Sequence, residues 1–512
     1  MYMLNKKKFL IFVTFLVGMC SIIYELLIST ASSYFLGNSV RQFSLIIGFY
    51  MAFMGLGAYL SKLFKEQLIY YFILIELWLG IIGAFSVPLC YTYFLYADYD
   101  GFQLFVFILI AAIGMLTGLE VPLLTRILED DFSLKDNISN ILTFDYLGAL
   151  IATIAFPVLL VPFVGIFKSS LFFGLLNIAV GLATFLFFRR EIALPQLKRR
   201  ILLTIIFALI AIIVFSIFAA QSFMERWHNG IFKHPVIYSE QSPYQDITMT
   251  KTNHEFRLYL NGAIQFSSRD EYRYHEALVH LAMMQHPDPQ KVLLLGGGEG
   301  LALREVLKYP IEQVDLVDID PAITQLAAQM DLIRQLNENA LASEKVQLIH
   351  EDAFTYLLNY TDQYDLIICD LPDPNSESLA KLYSNAFYQI ARSKLSGKGL
   401  LVTQATSPTL TPQAFWSIHK TLSISGFTHC YPYHVDVPSF GNWGFVLATG
   451  QPIDFQYNAD IPTRFLESDL LQHWFYFPKD TRLVEVEANY LDQPVLLDYY
   501  LDHWHQLNHE AK

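Results

Sequence analysis

Residues 291–300 read Lys-Val-Leu-Leu-Leu-Gly-Gly-Gly-Glu-Gly. An apolar run over 314–317 empties into Asp318-Ile319-Asp320, and a later one empties into Asp370-Leu371-Pro372-Asp373. Glycines accept φ > 0 and let a ligand approach the backbone. A strand that ends in such a turn and then enters a helix leaves room for a nucleoside, and an acid after the next strand is placed to grip a ribose. Asp318 holds that place, with Asp320 beside it as a second candidate. The run is neither the G-x-G-x-x-G of dinucleotide enzymes nor a P-loop with Lys-Ser/Thr, so a nucleoside without a polyphosphate fits it better. Asp352, after the third strand, is placed to meet an adenine amino group. Each of these acids also has a plainer reading as a helix cap.

Asp370 and Asp373 point to amine chemistry. An alkylamine has a pKa above about 10 and is mostly protonated at neutral pH. It must lose a proton before its nitrogen can attack carbon. One carboxylate within hydrogen-bond reach can orient the amine and take that proton, and a second can hold the charge at the amine's other end. Tyr244, Gln245, Tyr274 and His275 precede the sheet and are placed to close over the site. Cys369 beside Asp370 reads as a small buried hydrophobe.

The elements that must position these groups are legible around them. Residues 236–266 alternate apolar and polar positions, with turn residues at Asn253-His254 and Asn261-Gly262, and predict a small antiparallel β-unit. Residues 269–284 predict a helix. Apolar runs at 291–295, 314–317, 346–350, 364–369 and 399–404 predict strands, with helices at 301–309 and 321–333. Short continuous strands alternating with helices mean a parallel sheet covered on both faces. Residues 429–435 and 443–449 are expected to close it as an antiparallel pair.

Ahead of this lies a different kind of chain. Residues 1–221 hold seven stretches long enough to cross a hydrocarbon core: 9–29, 43–61, 68–95, 102–125, 141–165, 168–188 and 201–221. The first is no cleavable signal, since it holds Glu25 and six more spans follow. Glu25, Glu120 and Asp145 are acids in or near spans, either functional or held by interhelical hydrogen bonds. Gly55, Gly57 and Ala58 suit close helix packing. Lysines and arginines before the first span and after the second, fourth and sixth put the amino terminus inside. Seven spans then leave residues 222–512 outside, whereas a nucleoside substrate puts the catalytic half in the cytoplasm. The net charge of −14, with no basic patch, excludes a nucleic-acid partner. No cysteine lies in a C-x-x-C pair, so neither a zinc site nor a disulfide framework is indicated.

Several separated segments, in this order, resemble the spermidine synthases, or polyamine aminopropyltransferases: 242–247, 260–280, the glycine turn, the 318–320 acids, Glu351-Asp352-Ala353-Phe354 and the 370–373 acids. Segments 24–37, 55–61 and 463–466 resemble the membrane-bound bacterial branch. The resemblance implies that an aminopropyl group moves from decarboxylated S-adenosylmethionine to putrescine, giving spermidine and methylthioadenosine. It implies Asp370 as catalytic base and Asp373, Tyr274, Gln245 and His275 on the substrate. It puts Gln265, Gly296, Gly298, Glu299, Asp318 and Asp352 at the donor, with Gln245 and His275 reaching it as well. No metal is implied. Two departures are visible. Glu299 stands where the family has Asp, and Phe440 where it often has Tyr.

The expected fold is a multi-span α-helical membrane domain (1–221), a connector (222–235), a small β-unit and helix (236–285), a Rossmann-like methyltransferase-type α/β domain (286–450) and a C-terminal extension (451–512). The expected partners are putrescine or a related amine and the lipid bilayer, and a homodimer is allowed. Two other functions fit parts of the pattern. One is an S-adenosylmethionine-dependent methyltransferase, against which Glu299 argues, because two carboxylates in contact repel. The other is a non-catalytic polyamine sensor or transport module.

Overall fold

Alternating strands and helices in the second half build a seven-stranded sheet in the order β10-β11-β9-β8-β5-β6-β7. Its strands are β5 (Lys291–Gly296), β6 (Gln313–Val317), β7 (Val346–Ile349), β8 (Tyr364–Asp370), β9 (Leu395–Gln404), β10 (His429–Val437) and β11 (Gly441–Thr449). A four-stranded antiparallel sheet precedes it: β1 (Val236–Gln241), β2 (Asp246–Lys251), β3 (Phe256–Leu260) and β4 (Ala263–Ser267). The structure is a computed structural model; it describes residues 2–128, 134–192, 194–232 and 234–510. The chain divides into two units, Met1–Lys233 and His234–Lys512.

In the second unit the five central strands pair in parallel, and β10 and β11 add antiparallel at one edge. Leu293, Leu294 and Leu295 are fully buried because helices cover both faces. Asn261 and Gly262, both at positive φ, make the β3–β4 hairpin turn, as an Asn-Gly pair favours. The expected helix at 321–333 is two helices, Pro321–Gln329 and Asp331–Leu336, joined at an extended Met330. The break lets Leu326 and Ile333 both enter one core with Met249, Leu258 and Phe266 of the small sheet. Helices Ala353–Asn359, Asn385–Ser393, Pro412–Ile424 and Val495–Glu510 add to the expected set.

Among the described residues of the first unit, seven helices are long and apolar enough to cross a membrane. They are Tyr2–Leu36, Ser39–Leu60, Leu68–Phe94, Tyr99–Ile127, Leu134–Ala155, Ile166–Phe187 and Gln196–Phe232. The last helix runs on to Phe232, through most of the expected connector at 222–235, and Lys233 lies outside the described residues. Pro88 is accommodated inside its helix, whereas Pro157 lies in a π-helical turn, Phe156–Leu160. A Cβ at Gly57 would lie 2.0 Å from the Met115 carbonyl oxygen, and one at Gly118 2.0 Å from that of Met54. The second and fourth helices therefore touch backbone to backbone there. Gly55 faces open space instead.

Candidate active site

The chain lays down β5, β6 and β7 in one direction and then returns to place β8 on the other side of β5. In open α/β sheets the ligand crevice lies at the carboxyl ends of the strands where the order reverses, here β5 and β8. Gly296 and Asp370 are register partners on those strands. Gly296 has φ of 78°, and a Cβ there would sit 2.1 Å from the Asp370 carbonyl oxygen. A Cβ at Gly298 would come within 2.6 Å of Asp318 Oδ2. The glycines let two acids pack against the turn. Asp318 accepts from the Gly298 N–H at 3.0 Å and from the Asp320 N–H at 2.9 Å.

Asp370 Oδ1 accepts a 2.7 Å hydrogen bond from the Tyr274 hydroxyl. Tyr274 comes from the helix Glu271–Met283 and is buried. The next residue, His275, bonds Glu271 Oε2 through Nδ1 at 2.8 Å and turns Nε2 toward Glu299 Oε1 at 3.7 Å. Arg304 grips both oxygens of Glu271 at 3.0 Å each. Burial works against charge on His275, but Glu271 and Glu299 overcome it and raise the imidazole to about 10. Burial, reinforced by Glu299, lifts Asp370 to about 6, against the opposing pull of His275 and Tyr274. Asp318 is raised to about 6, chiefly by burial.

Asp373 has partners that no motif announced. The Tyr500 hydroxyl donates to its Oδ2 at 2.9 Å, from the helix Val495–Glu510, and Gln404 Nε2 approaches its Oδ1 at 3.4 Å. Gln404 also donates to the Leu371 carbonyl at 2.8 Å and bonds Tyr383. Burial raises Asp373 to about 6 despite the hydrogen bonds from Tyr500 and Gln404. The tail docks through Glu276, one turn from Tyr272 on the same helix, whose carboxylate accepts from the backbone N–H groups of Arg464, Phe465 and Leu466.

The geometry thus gathers Tyr274, His275, Glu299, Asp318, Asp370 and Asp373. Other expected residues are otherwise engaged. Asp320 is fully buried, caps the helix at Ala322 and holds Ser242 and the Gln245 amide. Asp352 caps its helix at Thr355 and pairs with Lys381 at 2.8 Å. Gln265 donates to the Ala263 carbonyl at 3.3 Å. Tyr244 is exposed. Phe440 packs edge-on against Tyr274 with ring centroids 5.9 Å apart.

His275, Glu299 and Asp370 offer ligand atoms within 4.8 Å of one another, a spacing that a metal ion could use. The chemistry of the set fits an ammonium better. Nδ1 of His275 is committed to Glu271, and an imidazolium has no lone pair to give a metal. Two carboxylates and one imidazolium leave a single negative charge facing the crevice, which suits one organic cation.

A glycine turn facing paired carboxylates at a reversal of strand order is an arrangement that suits a group transferase. Residues 271–458 match the spermine/spermidine synthase domain. A polyamine aminopropyltransferase of Leptospira interrogans is 41% identical over 494 residues, covering 96% of this chain and 98% of that one. One from Oceanobacillus iheyensis is 39% identical over 511 residues, covering 98% of each chain. Crystal structures of spermidine synthase are similar to about half of the chain. One, in complex with the transition-state analogue AdoDATO, is 25% identical with a TM-score of 0.44, over 48% of this chain and 85% of that chain. The Thermotoga maritima structure is 25% identical with a TM-score of 0.43, over 48% of this chain and 84% of that chain. The chain belongs to the polyamine aminopropyltransferase family and is an aminopropyl-transferring enzyme.

Proposed function

We propose that the crevice between β5 and β8 transfers the aminopropyl group of decarboxylated S-adenosylmethionine to putrescine. One observation carries this reading: Asp370 sits at the reversal of strand order, held by Tyr274, with Glu299 and His275 beside it. The glycine turn and Asp318 take the nucleoside, and Glu299 faces the donor's ammonium. Tyr274 occupies Asp370 Oδ1, so Oδ2 is the oxygen that receives the amine proton. The amine nitrogen attacks the methylene carbon next to the sulfonium. The N–C bond forms, the C–S bond breaks with its electron pair going to sulfur, and methylthioadenosine leaves. The amine's lost proton passes to Asp370. Asp373, with Tyr500 and Gln404 behind it, holds the far ammonium. Gln245, Gln265 and Asp352 are assigned to the donor pocket, as the resemblance implies.

The direct test supplies the full-length protein with decarboxylated S-adenosylmethionine and putrescine and measures methylthioadenosine. Methyl transfer from ordinary S-adenosylmethionine, with no methylthioadenosine from the decarboxylated donor, would overturn the reading.

The base works only when ionised. The Asp370 carboxyl sits near 6, and Asp373 beside it does too, so kcat/KM is expected to fall at least about tenfold for each pH unit below that point. A profile flat down to pH 4.5 would remove Asp370 from the role. Tyr500→Phe is expected to raise the KM for putrescine roughly tenfold with a smaller change in kcat, the worth of one hydrogen bond to a charged group. An equal fall in kcat would place Tyr500 in the chemical step instead.

The helical unit is proposed to seat the enzyme in a lipid bilayer as a multi-pass domain, with the catalytic unit on the cytoplasmic side where a nucleoside donor is available. A reporter fused after residue 512 should then read cytoplasmic.

A further inference from the structure

Inside the helical unit, Glu76 and Glu120 are 0% and 1% exposed. They come from the third and fourth helices and lie within hydrogen-bond reach of each other. Asn177 of the sixth helix donates to Glu76 Oε2 at 2.8 Å, and its Oδ1 accepts from the Tyr24 hydroxyl of the first helix at 2.9 Å. That relay fixes Asn177 with its donor side toward the acid. Tyr24 packs so tightly that a Cβ at Gly83 would lie 2.3 Å from its ring. Four helices therefore cooperate to present two carboxyl groups to each other, away from solvent.

Further observations point to a ligand. Glu76 Oε1 and Glu120 Oε1 are buried and have no hydrogen-bond partner among the described residues. No Lys or Arg pairs with either acid among the described residues. Two bare carboxylates repel strongly in a low-dielectric interior, so the pair holds either a proton or another cation. The other titratable groups around it are Cys20, Tyr24, Tyr50 and the more distant Glu25 and Asp145. None is basic. Tyrosine rings beside the acids favour an organic cation over a bare metal ion, because ring faces attract ammonium groups.

We propose that Glu76 and Glu120 form a cation site within the helical unit that takes the ammonium end of an alkylamine in exchange for a proton. The exchange conserves charge: a carboxyl–carboxylate pair sharing one proton carries −1, and so does an ionised pair holding one ammonium. Such a site makes the helical unit a proton-coupled amine carrier as well as an anchor. An ionisable pair at membrane depth is costly unless it serves a pathway of this kind.

The test is flux of radiolabelled putrescine into proteoliposomes of the full-length protein under an imposed pH gradient. Putrescine should accumulate, and Glu120→Gln and Glu76→Gln should each lower the initial rate at least tenfold. Aminopropyl transfer by the same preparations should be unchanged. Tyr24→Phe, a smaller change, should lower the rate several-fold by freeing Asn177, and it decides the matter if the glutamine variants do not fold. Flux no higher than in empty liposomes, flux unaltered in the folded variants, or gradient-driven sodium entry in place of putrescine would overturn the proposal.

Discussion

Asp370→Asn is expected to lower kcat by about a thousandfold, the range of a lost general base, while the donor still binds. The argument is geometric first. Asp370 closes β8 opposite Gly296, its Oδ1 is fixed by Tyr274, and a Cβ at Gly297 would lie 3.0 Å from its Oδ2. The amide of Asn keeps the shape and loses the acceptor for the proton. Folding should not suffer. The folded carboxyl sits near 6, above the ordinary 3.8, so its ionised form costs stability above about pH 6 and the cost vanishes below about pH 4. Removing the charge therefore leaves the thermal midpoint at pH 8 equal or higher. Single-turnover release of methylthioadenosine and calorimetric binding of the donor separate the two effects. Retention of more than roughly a tenth of the rate would assign the proton to another group.

The strands and their acids were legible because they obey local rules. A short apolar run recurs at β5, β6 and β8; it empties into the glycine turn at β5 and into an acid at β6 and β8. Gln245 and Asp352 carry partners that the sequence alone does not announce. Asp352 carries the same signature as Asp318, yet its cap at Thr355 and its ion pair with Lys381 are set by the fold. Tyr500 was illegible because its partner lies 127 positions away, on a tail with no periodic signal tying it to the sheet. The docking of Glu276 on residues 464–466 explains how that tail comes back. Phe440 lacks the hydroxyl often found in the family at that point, and Tyr500 supplies a phenol to Asp373 from another element. Glu76 lies in a run so apolar that one acid among its leucines and isoleucines barely lowers the mean hydropathy. An acid well inside such a run is itself the signal that marks it.

Arg304→Met should be among the most destabilising single changes in the catalytic unit, about 3–5 kcal/mol, the cost of leaving buried carboxylates without their partner. Arg304 is largely buried. It bonds both oxygens of Glu271, donates to Glu305 Oε1 at 2.8 Å and reaches the Leu336 carbonyl at 2.6 Å. Burial alone would raise Glu305, but His280, Arg304 and Lys308 hold it down near 2. Its contribution is present above the ordinary 4.5 and is lost as the pH falls toward 2. Without Arg304, Glu271 keeps only its bonds to His275, and Glu305 keeps His280 and Lys308. The inactivation temperature in detergent at pH 7.5 should fall by roughly 10 °C, given the usual conversion for a unit of this size. At permissive temperature the donor KM should rise more than kcat falls, because Glu271 fixes the His275 ring that faces Glu299. Arg304→Lys should recover part of the stability, since an ammonium restores the charge and not the two-pronged grip. A wild-type inactivation temperature in Arg304→Met would mean that this buried network contributes shape and no net stability.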